Sequence, residues 1–347
     1  MSTTVRALST SSAETGFETV EIERRALRAN DVRIAIAYAG ICHSDIHQAR
    51  DEWGAAIFPM VPGHEILGTV EEVGPEVTRH AVGDVVGVGC FVDACLECDA
   101  CADGEEQFCR KGVVQTYSAK GYDGEVTHGG YSRQVVVRDH FVVSIPDGLD
   151  HAGATPLLCA GITTYAPLKR HDVAGKRVGV IGMGGLGHVA VKIAAAMGAE
   201  VSVLSRTDAK QDDGLAFGAT AYHATEDRST FRRLRGQFDL LVNTVGASLP
   251  LDSFMGLLDR GGRMVYLGAP TEKLEVGAFS VLGMRRGIEG SMVGGLPETQ
   301  EMLDFCAEHG ITATVEVIRA DQVEEYYDRV VAGDVRYRAV IDVSSLD

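Results

Sequence analysis

The sequence is short of basic residues and contains no long apolar run. Its 347 residues include 32 lysines and arginines against 49 acidic residues, which gives a formal net charge of −17 at pH 7. This charge argues against nucleic acid or a membrane as a partner, although a local basic site for a small phosphorylated ligand is compatible with it. No apolar run approaches the roughly 20 residues that a spanning helix needs, and the N-terminal segment lacks the apolar core of a signal peptide. We therefore expect a cytoplasmic protein.

Internal repeats and low-complexity segments are also absent. The chain has 45% hydrophobic and 23% charged residues, as globular proteins do, and its length favours two domains over one core. In the cytosol cysteines stay reduced, so clustered cysteines there indicate metal ligands or catalytic groups rather than disulfides.

The texture of the sequence changes twice along the chain. Residues 1–151 hold short β-branched runs bounded by glycine, proline or aspartate, which predicts a mainly β, barrel-like domain. Residues 152–295 alternate apolar strands with helical stretches, the pattern of a doubly wound parallel sheet. Residues 296–347 return to the first texture, and we expect them to fold back onto the N-terminal domain. The predicted fold class is therefore α/β with a second, mainly β domain.

The segment "VGVIGMGGLGHVAVKIA" contains a G-x-G-x-x-G motif between a predicted strand and a predicted helix. In such a loop the first glycine allows a tight turn, the second lets the backbone approach a pyrophosphate, and the third lets the helix pack on the strand. This context predicts a dinucleotide site. The residues concerned are Gly182, Gly184, Gly185, Leu186 and Gly187.

The following strand ends at a position where NAD enzymes carry Asp or Glu against the ribose 2′-hydroxyl. This chain has Ser205 there, followed by Arg206 and Lys210. A guanidinium and an ammonium attract a 2′-phosphate that a carboxylate would repel, so we predict NADP(H) as the cofactor. The alternative is that Arg206 is only a surface cation.

Two groups of residues indicate metal sites. Four closely spaced cysteines in an acidic lobe near residues 90–112 can supply a complete tetrahedral sulfur shell, which predicts a closed, structural zinc site; an iron–sulfur cluster is the minor alternative. These cysteines are Cys95, Cys98, Cys101 and Cys109.

The second group is dispersed along the chain. Three ligands of mixed sulfur and nitrogen type with a free fourth position form the pattern of a catalytic zinc. Cys42, His64 and Cys159, with Glu65 next to the histidine, would fit this pattern. Taken singly, each also fits a core cysteine or a turn histidine, and sequence spacing alone does not show that they converge.

These motifs occur in the order found in zinc-dependent medium-chain dehydrogenases, which the sequence resembles over essentially its whole length. The strings "AGICHSDIHQ", "FPMVPGHEILGTVEEVG" and "LLCAGITTYAPLKR" more narrowly resemble the cinnamyl alcohol dehydrogenase-like branch. The resemblance implies a Rossmann cofactor domain (152–295) and a GroES-like catalytic domain (1–151 and 296–347). It also implies two zinc ions per chain and a homodimer joined by edge strands, for which the segment near "GIEGSMVGG" is our candidate.

The resemblance further implies roles for individual residues. Cys42, His64 and Cys159 match the catalytic zinc ligands, and Glu65 matches a carboxylate that can approach the metal. The remaining matches are Asp45 as the group orienting the ligating histidine, Ser44 and His47 as the proton relay, Thr163 beside the nicotinamide, Arg338 at the pyrophosphate, and His43 where some relatives carry an arginine facing the pyrophosphate.

The expected function is NADP(H)-dependent interconversion of primary alcohols and aldehydes, with zinc polarising the oxygen and hydride moving to or from nicotinamide C4. Trp53, Phe58 and Met60 could line an apolar pocket for medium-sized aromatic or aliphatic aldehydes, although Trp53 equally fits a packing residue. The alternative within the same scaffold is a polyol, sugar or formaldehyde dehydrogenase. A non-catalytic zinc-stabilised binding protein is disfavoured because all three catalytic ligands are present.

Overall fold

The computed structural model describes residues 2–270 and 272–346. The chain divides into two compact units, Met1–Ile162 with Gly294–Asp347, and Thr163–Val293. These limits lie near the boundaries expected from sequence, residues 151/152 and 295/296, and the domain assignment itself stays a prediction. Among the described residues, no helix is both long and apolar enough to cross a membrane.

The strands are numbered in chain order. They are β1 (Thr3–Thr10), β2 (Phe17–Arg24), β3 (Asp31–Ile41), β4 (Ile66–Val73), β5 (Val85–Val88), β6 (Phe91–Asp93), β7 (Val114–Gln115), β8 (Gln134–Arg138), β9 (Val143–Ser144), β10 (Arg177–Ile181), β11 (Glu200–Ser205), β12 (Ala221–Ala224), β13 (Phe238–Asn243), β14 (Leu258–Tyr266), β15 (Gly287–Gly290), β16 (Val315–Arg319) and β17 (Arg338–Asp342).

The α-helices are mostly short. They are α1 (His43–Ala49), α2 (Asp99–Ala102), α3 (His151–Ala154), α4 (Ala160–Arg170), α5 (Gly187–Ala196), α6 (Gln211–Ala216), α7 (Ser229–Arg233), α8 (Leu251–Met255), α9 (Ala278–Leu282), α10 (Leu296–Glu308) and α11 (Val323–Ala332). Single 3-10 turns cover Glu106–Phe108, Asp139–Phe141, Thr155–Leu158, Ala320–Gln322 and Val343–Ser345.

The first unit is built on a seven-stranded sheet in the order β16-β17-β3-β4-β5-β9, with β8 also pairing with β3. Its pairs are antiparallel except for β16 with β17. Strand β17 pairs with β3 through Ala339 opposite Ile41, so the C-terminal segment does return to the N-terminal part of the chain. The predicted mainly β fold of this part of the chain is therefore confirmed.

The second unit contains a six-stranded, fully parallel sheet in the order β12-β11-β10-β13-β14-β15. Its strands are rich in valine, isoleucine and leucine because both faces are covered, and Val178, Val180, Val203 and Leu241 are completely buried. The strand order reverses between β10 and β13, which is where a doubly wound sheet opens a crevice for a ligand at its carboxyl edge. The α/β prediction is confirmed.

Candidate active site and metal centres

The structure brings the dispersed group together. One ligand atom from each of Cys42, His64, Glu65 and Cys159 lies within 4.8 Å of all the others, and all four residues are buried. The Sγ atoms of Cys42 and Cys159 are 4.0 Å apart. This convergence is what sequence spacing alone did not establish.

Strand pairing explains how these distant residues meet. Cys42 directly follows β3, while His64 and Glu65 directly precede β4, and the register of the two strands places Ala39 opposite Ile66. The end of one strand and the start of the next are therefore neighbours. Cys159 comes directly after the 3-10 turn Thr155–Leu158, whose residues are all buried.

Asp45 contacts two residues of the cluster, Cys42 and His64, as well as Gly63. It is fully buried, and its carboxylate accepts hydrogen bonds from Cys42 N at 2.8 Å and from Gly63 N at 3.2 Å. The same carboxylate lies 3.1 Å from His64 Nδ1. Because Nδ1 is engaged in this way, Nε2 is the histidine nitrogen available to a metal. The orienting role of Asp45 stays a prediction.

Glu65 and Arg338 form a buried ion pair beside the two thiols. The Arg338 guanidinium contacts Oε1, while the other carboxylate oxygen, Oε2, is buried without a hydrogen-bond partner. A Cβ atom at Gly40 would lie 2.0 Å from that oxygen, so only glycine fits there. Burial raises the pKa of Glu65 to about 7, although Arg338 acts in the opposite direction.

The thiols and the imidazole influence one another's protonation. The hydrogen bond with Cys159 holds the pKa of Cys42 well below its usual value, and the same contact raises the pKa of Cys159. Burial opposes a charged imidazole, yet the negative charge of Asp45 raises the pKa of His64. Two sulfurs, one nitrogen and an orphaned buried carboxylate oxygen form a donor set that fits zinc with a position left open.

The first helix presents a second set of functional side chains. His47 Nδ1 contacts Glu52 Oε2, and the His47 ring lies 5.0 Å from the ring of Trp53 and 5.1 Å from that of His43. Ser44 is partly buried in the first turn of the same helix. Sequence reasoning missed Glu52, because its contact arises where the chain turns back after α1.

The residues predicted to line a substrate pocket lie in different settings. Trp53 is 44% exposed and its ring contacts that of His47 in a tilted arrangement, Phe58 is partly buried, and Met60 is buried at 1% exposure. The backbone of Met60 exchanges two hydrogen bonds with Thr10, which ties Met60 to β1. Their contact with substrate stays a prediction.

The four-cysteine lobe forms a separate cluster. The sulfurs of Cys95, Cys98, Cys101 and Cys109 all lie within 4.8 Å of one another. Backbone N–H groups point at three of them, as in the 3.4 Å contact from Arg110 N to Cys98 Sγ. Burial would raise the pKa of Cys109, but the N–H groups of Cys95 and Lys111 lower it to about 6. Four sulfur donors fit a closed tetrahedral zinc site.

Exposed ion pairs surround this lobe, and the buried carboxylate of Glu106 helps to anchor it. Asp99 pairs with Arg110, and Glu97 pairs with Lys111, at the surface. Glu106 is 1% exposed; its carboxylate lies 2.7 Å from His140 Nε2 and accepts a hydrogen bond from Leu296 N at 3.0 Å. The acidic lobe therefore has a solvated surface, and Glu106 ties it to His140 and Leu296.

The glycine loop follows β10 at the reversal of strand order. Gly182 has φ +93°, which strongly favours glycine, and a Cβ atom at Gly187 would lie 2.1 Å from Gly182 O. In contrast, no atom lies within 4 Å of the position of a Cβ at Gly184. With Gly185 and Leu186, this loop leads into α5. The tight turn, the close packing and the open approach match the geometry of a pyrophosphate cradle.

The residues predicted to select the cofactor lie beside this loop. Ser205 ends β11, Arg206 is exposed, and Lys210 Nζ donates a hydrogen bond to Met183 O within the loop at 3.0 Å. Thr163 is 7% exposed within α4. Two cationic side chains thus stand at the end of the second strand of the parallel sheet.

Similarity to known proteins covers both units. The family model described as "Alcohol dehydrogenase GroES-like domain" matches residues 28–147, and the one described as "Zinc-binding dehydrogenase" matches residues 185–308. The chain is 58% identical over 342 residues to "Probable formaldehyde dehydrogenase AdhA" of Bacillus subtilis, covering 98% of both.

Two further similarities extend over nearly the full length. The chain is 55% identical over 345 residues to "NADP-dependent alcohol dehydrogenase C 1" of Mycolicibacterium smegmatis, covering 99% of both. A solved structure of a cinnamyl alcohol dehydrogenase from Sorghum bicolor superposes with a TM-score of 0.96 at 39% identity, covering 99% of this chain and 98% of that one.

Proposed function

We propose that this chain, which belongs to the zinc-dependent medium-chain alcohol dehydrogenase family and to its cinnamyl alcohol dehydrogenase-like branch, uses NADP(H) to interconvert primary alcohols and medium-sized aromatic or aliphatic aldehydes. The family membership makes the chain an alcohol/aldehyde oxidoreductase. The observation that carries the proposal is the buried cluster of Cys42, His64 and Cys159 with the orphaned oxygen of Glu65 beside it.

In this proposal Cys42, His64 and Cys159 hold a catalytic zinc. Bound there, the metal supplies a Lewis acid that favours ionisation of a substrate hydroxyl and polarises a carbonyl. Asp45 keeps the His64 ring oriented, and Arg338 neutralises Glu65 in the buried wall of the site. The four lobe cysteines would hold the second zinc, and four sulfur ligands would make it a structural ion that stabilises the lobe.

Proton movement is assigned to α1. Ser44 and His47 carry the substrate proton away from the site, and Glu52 accepts a hydrogen bond from His47 Nδ1. This leaves Nε2 of His47 as the nitrogen that receives a proton from the substrate side. Glu52 is half exposed, so the path ends at solvent.

The preference for NADP(H) is assigned to Arg206 and Lys210. A nicotinamide cofactor supplies or accepts the hydride, and the name of the mycobacterial relative supports its phosphorylated form. We expect Arg206→Ala to lower the ratio of kcat/KM with NADPH to that with NADH by at least about 10-fold, since a charge-assisted contact with the 2′-phosphate is lost. Arg260→Ala, at an exposed arginine of the same unit, is the matched control. An unchanged ratio in Arg206→Ala would remove this residue from cofactor selection.

We propose aldehyde reduction as the working direction, since a cytosolic NADPH pool favours it. One observation favours a second candidate: the relative at 58% identity is named a probable formaldehyde dehydrogenase. Steady-state kinetics over formaldehyde, polyols and a series of aliphatic and aromatic aldehydes, each with NADPH and NADH, separates the two. The highest kcat/KM for a medium-sized aldehyde with NADPH supports our proposal, and the highest value for formaldehyde oxidation replaces it.

We also propose a cytoplasmic homodimer with domains 1–151 plus 296–347 and 152–295. Strand β15 ends the parallel sheet, and exposed apolar side chains lie nearby in sequence, Phe279 at 86%, Leu282 at 68% and Met292 at 56%. Such apolar exposure is typical of an interface. Sedimentation equilibrium should give twice the chain mass of 37.0 kDa for the native chain, and a lower mass for Phe279→Ser with Leu282→Ser. A monomeric native chain would contradict the dimer.

A further inference from the structure

Arg24 is a buried cation, and among the described residues its hydrogen bonds all go to uncharged oxygens. It ends β2 and is 7% exposed. Its Nη1 donates to His128 O at 2.7 Å, and its Nη2 donates to Gly129 O at 2.8 Å and to Ser132 Oγ at 2.6 Å. Burial lowers the pKa of Arg24 to about 10, so the side chain stays charged at neutral pH. Burying a charge without an opposite charge costs desolvation free energy. We therefore expect a structural role for Arg24.

The oxygens that Arg24 holds belong to one loop, residues 128–132, which lies against residues 61–63. Three backbone hydrogen bonds join the two segments: Gly129 N to Val61 O at 2.7 Å, Gly130 N to Gly63 O at 2.9 Å, and Tyr131 N to Pro62 O at 3.0 Å. The 128–132 loop therefore supports the backbone of residues 61–63 along its length.

The packing between the two segments leaves no spare room. A Cβ atom at Gly129 would lie 2.4 Å from Gly63 O. Gly63 has φ +104°, and a Cβ atom there would lie 2.7 Å from the Tyr131 ring. This close approach couples the 128–132 loop to the backbone at Gly63.

Residues 61–63 lead directly into His64. Gly63 N donates to Asp45 Oδ1, and the same oxygen lies 3.1 Å from His64 Nδ1. We propose that Arg24 is a positioning residue for His64, acting through the 128–132 loop and the backbone of residues 61–63. The inference rests on the proposed function in that His64 is taken to bind the catalytic zinc.

The test compares Arg24→Gln with Arg28→Gln in the zinc-loaded full chain. Arg28 is a matched control, because its ion pair with Asp123 is exposed and such pairs contribute little. Amide hydrogen exchange is measured over residues 126–133 and 60–66. The time course of zinc release to a chelator is measured on the same samples. The kinetic phase that belongs to the buried cluster is the one that is missing in Cys42→Ala.

We expect Arg24→Gln to speed exchange in these two segments by at least about 10-fold, without a matching change in the other strands of the sheet. Release of zinc from the buried cluster should be about 10-fold faster, within the range found when groups supporting metal ligands are lost. Release from the four-cysteine lobe should be unchanged, and Arg28→Gln should match the unaltered chain.

Exchange and zinc release within 2-fold of the unaltered chain in Arg24→Gln would overturn the inference, as would a uniform rise in exchange throughout the sheet. If Arg24→Gln does not fold, Arg24→Lys decides, because lysine keeps the charge but lacks the planar fork that reaches two carbonyls and a hydroxyl. Faster exchange confined to the same segments supports the inference, and values equal to the unaltered chain overturn it. Both readouts are independent of turnover, so an absence of dehydrogenase activity would refute the proposed function alone.

Discussion

The two candidate metal sites of this chain share cysteine ligands but differ in expected role: one is structural and the other is catalytic. The lobe gathers four sulfurs from one short stretch, residues 95–109, at a surface rich in exposed ion pairs. The buried cluster gathers two sulfurs, an imidazole and a carboxylate from three separate segments, and Asp45 and Arg338 support it from behind. A saturated, local cluster can hold a loop, whereas an unsaturated, supported cluster can bind substrate.

The largest effect is expected from breaking the buried cluster. Cys42→Ala or His64→Ala should lower kcat by at least about 1,000-fold, because the Lewis acid is lost, while the far-UV circular dichroism stays close to that of the unaltered chain. Activity, zinc per chain and circular dichroism are measured on the same preparation. Cys306→Ala is the control, since Cys306 is equally buried but outside both clusters. Full activity in either cluster variant would refute a catalytic role for this group.

Breaking the lobe should damage stability instead. Cys98→Ala removes one of four sulfurs from a site that closes an otherwise polar loop, so we expect the thermal midpoint to fall by roughly 10 °C. The protein that remains folded at 20 °C should keep most of its kcat. A variant that is as stable as the unaltered chain but inactive would contradict the separation of roles.

A smaller effect on turnover is expected from breaking the proposed proton path through Ser44 and His47. His47→Asn should lower kcat by roughly 10- to 100-fold and most strongly at low pH, since water can partly replace the imidazole. Glu52→Gln should lower kcat less, and adding it to His47→Asn should cost nothing further, because both residues act in one path.

Additive losses of kcat in the double variant would show that Glu52 is not part of the path.

The smallest effect is expected at the surface of the lobe. Arg110→Gln breaks the exposed ion pair with Asp99 but keeps the backbone N–H that points at Cys98, so the thermal midpoint should move by less than about 2 °C. Differential scanning calorimetry checks this. A shift as large as that of Cys98→Ala would mean that the charged surface, and not the sulfur cluster, stabilises the lobe.

The same comparison explains what could be predicted from sequence. The lobe cysteines lie close together in the chain, and the glycine loop lies between a strand and a helix, so spacing and context sufficed for both. The buried cluster depends on the β3–β4 register and on a 3-10 turn before Cys159, which no local pattern encodes; the family resemblance was needed to connect Cys42, His64 and Cys159.

Two residues escaped sequence reasoning altogether. Glu52 reaches His47 only because the chain turns back after α1. Arg24 donates hydrogen bonds to backbone oxygens of a distant loop. The nearest of these residues in sequence, His128, is 104 residues away. A partner that is a carbonyl has no side-chain signature, so the sequence offered no pair to look for.

We expect substrate oxygen to reach the buried cluster and not the lobe. The most direct measurement is the visible spectrum of the chain with cobalt(II) in place of zinc, titrated with a substrate alcohol in the presence of NADP⁺. We predict that the bands removed by Cys42→Ala shift on titration, while those removed by Cys98→Ala do not. Bands of the lobe that shift while those of the buried cluster stay constant would contradict the claim.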